Sequence, residues 1–151
     1  MKRTHADIRH IAHNLLPTVL EKEGLIEATK QFVSEINDTE IIKITVSDKQ
    51  SDINKHSKQL QLMLFRVIQE LVNNIIKHSQ ATQAHIAFSD FQNEILIEVT
   101  DDGIGYDATE AENCGNQGLY SISQRIKSIG GNFKIIKKSK GGTKAMVKLN
   151  V

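Results

Sequence analysis

Between about Lys58 and His78 the sequence places Leu62, Phe65, Ile68, Leu71, Val72, Ile75 and Ile76 at helical spacing, a continuous apolar stripe. A helix with such a stripe must bury it against a second layer, so this segment constrains the fold more than any other. Its far side is not plain. In the stretch QELVNNIIKH, residues 69–78, the side chains of Glu70, Asn74 and Lys77 fall within about 60° of one another at roughly 100° per residue. A carboxylate, an amide and a cation share the face opposite the stripe.

The remaining pattern supplies the layer. EIIKITVS alternates and is β-branched, as a strand requires, and DKQSDINKHS is a polar connection into the helix. AHIAFSD and EILIEVTD are alternating runs separated by Phe91-Gln92-Asn93, the length of a hairpin connection, and are expected to pair antiparallel. GLYSISQRIKSI, residues 118–129, is helical until Gly130-Gly131, and FKIIKKS with TKAMVKLN forms a second hairpin through Lys140-Gly141-Gly142. Upstream, Ile8, Ile11, Ala12, Leu15 and Leu16 have helical spacing; Pro17 should bend that helix, Gly24 should cap it, and a second helix follows over about Leu25–Ile36. The expectation is an α+β fold: a two-layer sandwich of helices on one face of a mixed, mostly antiparallel sheet, preceded by an N-terminal helical segment. At 151 residues one core suffices.

Composition removes several functions. A net charge of +1 argues against broad binding of nucleic acid. The single cysteine, Cys114, allows neither an internal disulfide nor a cysteine cluster for zinc, which fits a reducing cytoplasm. His56, His78 and His85 lack metal-ligand spacing. No apolar run approaches the roughly 18 residues of a transmembrane helix, and the start lacks a signal-peptide core, so no membrane contact is expected of this stretch, although a larger parent could be anchored.

Four elements could carry chemistry. Hard divalent cations take oxygen ligands and bridge to phosphates, so one contact such as Asn74 suffices, with Lys77 toward a phosphate; a solvated helix face would look the same. TDDGIGYD ends a strand with Asp101, a carboxylate able to accept from the exocyclic amine of adenine, followed by Gly103 and Gly105 where backbone must approach closely; a plain turn is the competing explanation. In NQGLYSISQRIKSIGG, Gly118 opens a helix whose amides attract anions. Last comes G-G-T at 141–143, by itself a hairpin turn. Between the second and third lies a glycine-rich stretch, 101–118, long for a compact domain and so functional or mobile.

In this order and spacing the elements resemble the ATP-binding domain of sensor histidine kinases, in the GHKL superfamily shared with gyrase, heat-shock chaperone and mismatch-repair ATPases. The resemblance covers roughly residues 40–151. It implies that QELVNNIIKH is the N box, with Asn74 the magnesium ligand, Glu70 the catalytic residue at the reacting centre, and Lys77 and His78 near the phosphates. It implies further that Asp101 accepts from the adenine amine, that Gly103 and Gly105 admit the nucleotide, that residues 106–117 form a lid, and that Gly118, Leu119 and Thr143 complete the pocket. ATP and Mg2+ are the implied ligands. One departure is visible: relatives often carry a closely spaced G-x-G before the lid helix, where this chain has Gly115-Asn116-Gln117-Gly118.

IRHIAHNLLPTVLEKEGLIEATKQF is similar to the end of the dimerisation module in the class that partners helix-turn-helix response regulators. Residues 1–36 are accordingly expected to be the C-terminal part of that module and 37–151 the catalytic domain. In that class the phosphoacceptor histidine is followed by Asp or Glu, whereas His5, His10 and His13 precede Ala6, Ile11 and Asn14. The acceptor is therefore expected outside this chain, on a parent that homodimerises and hands its phosphate to a response regulator. A serine kinase of the anti-sigma-factor type and an inactive nucleotide-binding module share the fold. The first lacks a dimerisation helix, and the second is disfavoured by intact Glu70, Asn74 and Asp101.

Overall fold

The computed structural model describes residues 16–105 and 117–150. The described order is α1 (Leu16–Glu23), α2 (Leu25–Asn37), β1 (Lys43–Lys49), a 3-10 turn (Asp52–Lys55), α3 (Lys58–Asn74) running into a π-turn (Ile75–Ser79), β2 (Gln83–Phe91), β3 (Glu94–Asp101), α4 (Gln117–Ser128), β4 (Asn132–Lys137) and β5 (Thr143–Asn150). Five strands form one sheet in the order β1-β2-β3-β5-β4. The β1–β2 pair is parallel because α3 lies between them in the chain; the other pairs are antiparallel, as the hairpin spacing predicts.

One face of the sheet is covered. Along β3, Ile95, Ile97, Val99 and Asp101 are buried and alternate with half-buried Leu96, Glu98 and Thr100. Ile86 and Phe88 of β2 and Val147 and Leu149 of β5 join the same core, against Leu64, Phe65, Ile68, Leu71 and Val72 of α3. On the other face His85 sits between two hydroxyls, Thr45 Oγ1 at 2.6 Å from Nδ1 and Ser47 Oγ at 2.9 Å from Nε2.

The α3 stripe differs from its sequence pattern at one place. Leu62 is 39% exposed, while Gln61 is fully buried. The glutamine answers three backbone groups: its Oε1 accepts from Leu25 N at 2.9 Å, and its Nε2 donates to the carbonyls of Asn54 (3.2 Å) and His56 (2.8 Å). Burying an amide is tolerable when both ends are matched, and here the match fastens α3 to the start of α2 and to the 3-10 turn. That turn lies within the expected polar connection, with Ile53 buried and Ser51 and Asp52 held by the Asp90 carboxylate.

The core crosses the boundary expected at residue 36. Leu20 of α1 and Leu25, Ala28, Phe32, Val33 and Ile36 of α2 belong to the same cluster as α3 and the sheet, and Phe32 meets Phe65 edge-on at 5.9 Å. Gly24, at φ +93°, makes the sharp link between α1 and α2, consistent with the capping role expected of it. Pro17 stands second in the described part of α1, so the bend expected there falls at the limit of the described residues. His5, His10, His13, Cys114 and the lid stretch 106–116 lie outside them.

Candidate functional site

Where the helix layer stops short of the ends of β3 and β5, a cleft of about 110 Å³ opens between α3 with its π-turn and the sheet. Its walls are apolar: Leu71 and Ile75 on the helix side, Val99, Ile135 and Ala145 on the sheet. The polar groups that reach it are few. Asn74, His78, Asp101 and Thr143 line it together with Gly105 and Leu119, so six of the ten residues expected at a site converge on one cavity. Apolar walls with a few convergent polar groups are what a pocket for a flat, partly apolar ligand requires.

Asp101 is brought there by alternation. It continues the inward series Ile95, Ile97, Val99, but at the strand end the core has given way to the cleft, leaving a carboxylate only 5% exposed. Its Oδ1 accepts from the Gly103 amide at 2.8 Å, and the nearby Thr143 amide also favours the charged carboxylate. Burial pushes its pKa above the ordinary 3.8, and this outweighs the Gly103 amide and the Lys138 cation, which pull it down. Asp102, one residue on, points the other way. It is exposed and accepts from Thr82 N (2.8 Å), Thr82 Oγ1 (2.7 Å) and Gln83 N (3.0 Å). The Gln83 amide foremost, then the Thr82 hydroxyl, hold Asp102 below 3.8. One carboxylate ties β3 to β2; the other lines the cleft.

The glycines do more packing than the sequence suggests. A Cβ on Gly103 would overlap the Ser79 carbonyl, the group that accepts from Ile104 N at 2.8 Å. Gly103 therefore lets the end of the π-turn seat against the end of β3, and it does not line the cleft. Gly105, at φ +85°, does line it, with the stem of Lys137 lying against its Cα. Gly142, not singled out in the sequence, has φ +89° and no room for a Cβ because the Asp101 carbonyl occupies that place. The G-G pair before Thr143 was the available signal, but two glycines in a hairpin are explained by the turn alone.

At the other end of the cleft, α3 finishes at Asn74 and the chain continues as a π-turn to Ser79, with Gln80 left-handed after it. This moves Lys77. A turn closed between residues five apart advances only about 80° per residue, so His78 returns beneath Asn74 and Lys77 swings aside. Lys77 is exposed and outside the cleft lining, as are half-buried Glu70 and Gly118, the last being the second residue of α4 rather than its first. Asn74 stays. Its Nδ2 is buried and has no hydrogen-bond partner among the described residues. A buried amide nitrogen without a partner is costly, and the other end of the same group is an oxygen, a hard ligand suited to a divalent cation. Among the described residues no three His, Cys, Asp or Glu are grouped to hold a metal.

Known proteins resemble this chain in sequence and in fold. The family model for histidine kinase-, DNA gyrase B- and HSP90-like ATPases matches residues 59–151, more than half of the chain. The chain is 30% identical over 144 residues to the sensor histidine kinase ComP of Bacillus subtilis, covering 95% of this chain and 19% of that protein. It is 24% identical over 151 residues to the signal transduction histidine-protein kinase/phosphatase DegS of Brevibacillus brevis, covering 100% of this chain and 39% of that one. This chain therefore spans well under half the length of these curated relatives. Among solved structures, the histidine kinase domain of the Erythrobacter litoralis EL346 blue-light activated kinase superposes with a TM-score of 0.74 at 18% identity, over 98% of this chain and 75% of that one. The catalytic domain of histidine kinase ThkA gives 0.62 at 14%, over 83% and 89%. At such identities the superpositions speak for the fold; together with the matched model, they identify the chain as a member of the histidine kinase-, DNA gyrase B- and HSP90-like ATPase family.

Proposed function

We propose that this chain is the catalytic, ATP-binding part of a sensor histidine kinase, and that it passes the γ-phosphate of ATP to a histidine outside its own sequence, for relay to a response regulator. The observation that carries the reading is the pairing of a buried, cleft-lining carboxylate at Asp101 with an unpartnered buried amide at Asn74 in one cavity. Asp101 accepts from the adenine amine, and the apolar walls from Leu71, Ile75, Val99 and Ala145 sandwich the base. Thr143 and Leu119 close the pocket on the sheet and α4 sides, and His78 stands at the rim toward the phosphates.

Asn74 would hold Mg2+, and the bound ion would neutralise charge on the phosphate oxygens, the main requirement of phosphoryl transfer. Glu70, one turn before Asn74 on the same helix, would orient the incoming imidazole and take its proton. The dimerisation module, in this reading, hands over to the ATP-binding domain before Leu20 rather than at residue 36, because α2 is part of the catalytic core. The parent works as a homodimer on the cytoplasmic side; no helix of the described residues is long and apolar enough to cross a membrane.

The test is to mix the protein with labelled ATP, magnesium and a separately made dimerisation fragment carrying the acceptor histidine. Acid-labile phosphate should accumulate on the fragment, and Asn74→Ala should remove the magnesium-dependent part by about a hundredfold or more. Absence of ATP binding by calorimetry, or transfer undiminished in Asn74→Ala, overturns the assignment.

A further inference from the structure

We propose that Lys138, on the turn between β4 and β5, is a positioning residue that holds Asp101 in the orientation from which it reads the purine amine. The inference rests on the adenine reading of the cleft given above.

The geometry concerns one peptide group. The carbonyl of Asp101 points to the β4–β5 turn, where Lys138 Nζ donates to it at 3.3 Å. Gly142 presses on the same carbonyl, closely enough that any side chain would displace it. Thr143, the next residue, lines the cleft with Asp101, and its amide favours the charged carboxylate. The turn itself is closed by Lys138 N to the Gly142 carbonyl at 2.9 Å and Gly141 N to the Lys138 carbonyl at 3.2 Å. One short turn thus grips Asp101 at its main chain and flanks its side chain.

Lys138 is the member of this grip that the sequence does not announce. It is half-buried, and the stretch from Gln117 to Asn150 contains no acidic residue that could claim its ammonium. Among the described residues the ion pairs join Lys30 to Glu27, Lys55 to Asp52 and Lys144 to Glu98, so the charge on Lys138 is matched by a carbonyl and by the nearby field of Asp101. A cation bonded to the carbonyl of a buried acid fixes the peptide and favours the charged carboxylate that a purine amine needs as acceptor. A lysine resting on the nearest surface carbonyl would look similar in outline but would not affect which base is bound.

The discriminating experiment uses two nucleotides that differ in one group: ATP and purine riboside triphosphate, which lacks the 6-amine. Affinities for both are measured by calorimetry, with magnesium, for the wild type, Lys138→Met, Lys138→Gln and Lys138→Arg, alongside thermal unfolding. The wild type should prefer ATP by about tenfold or more, since a site built to accept from an amine rejects the analogue lacking it. Lys138→Met and Lys138→Gln should cut that preference to about threefold or less, and Lys138→Arg, which keeps a cationic donor, should restore most of it. If the neutral variants weaken both nucleotides by the same factor with the ratio intact, the positioning role is refuted and only general attraction is left. A wild type that binds both nucleotides equally refutes the purine reading of Asp101 itself, a distinct result that removes the foundation of this inference as well.

Discussion

The two ends of the cleft are built on opposite plans. At the sheet end, Asp101 is seated from both sides: Gly103 supplies an amide to its carboxylate, while Lys138 and Gly142 bracket its carbonyl. At the helix end, Asn74 is left with a buried amide nitrogen that nothing described satisfies, and its neighbours Glu70 and Lys77 do not enter the cavity. Preorganisation lowers the cost of binding where a rigid, flat group is recognised, whereas an unsatisfied polar group is an acceptable loss only where the ligand brings its partner. In the proposed function, the base site is complete before binding and the phosphate site is completed by the ligand.

The strongest way to break this contrast is at Gly142. Gly142→Ala places a side chain in left-handed backbone and against the Asp101 carbonyl, and should destabilise the domain by about 2–3 kcal/mol in urea unfolding, with nucleotide affinity falling further than stability explains. Next in size is Asp101→Asn. Nucleotide affinity should drop about tenfold to thirtyfold, yet the empty domain should be no less stable at pH 7. The sign follows from the raised pKa: Asp101 favours folding most below pH 3.8 and loses that contribution as pH rises through its higher folded value. Relative to the wild type, the variant should therefore gain stability between pH 3 and pH 7, and a loss over that interval would mean that the buried carboxylate is stabilising in its own right.

Asp102 provides the opposite sign. Its pKa is lowered, so its contribution is present above pH 3.8 and disappears as pH falls through the folded value. Asp102→Asn should cost about 0.5 kcal/mol at pH 7, the screening of an exposed group keeping the figure small, and almost nothing at pH 2. The smallest effect belongs to Lys77→Ala. With the side chain outside the cleft, nucleotide affinity should change by less than about twofold; a tenfold loss in calorimetry would show that Lys77 reaches the phosphates after all.

What the sequence made legible, and what it hid, follows the same division. β3 and the inward place of Asp101 could be read because strand alternation is local and strict. The apolar stripe of α3 could be read for the same reason, with Gln61 as the exception: its burial depends on three carbonyl and amide partners brought by the tertiary fold, and hydrophobicity carries no trace of them. Lys77 was misplaced because the face argument assumes about 100° per residue throughout, and the π-turn breaks that assumption at Ile75. Lys138 is hidden because its partner is a backbone carbonyl some forty residues earlier, and Gly142, which presses on the same carbonyl, is legible only as part of a hairpin turn.

The π-turn has a consequence for how this site tolerates change. Five residues make one loop of chain between Asn74 and the Ser79 carbonyl that receives Ile104, so the two walls stay in register only at that length. Removing one residue there would leave every chemical group in the inventory yet put helix and sheet out of step, which makes spacing a more fragile property of this domain than composition.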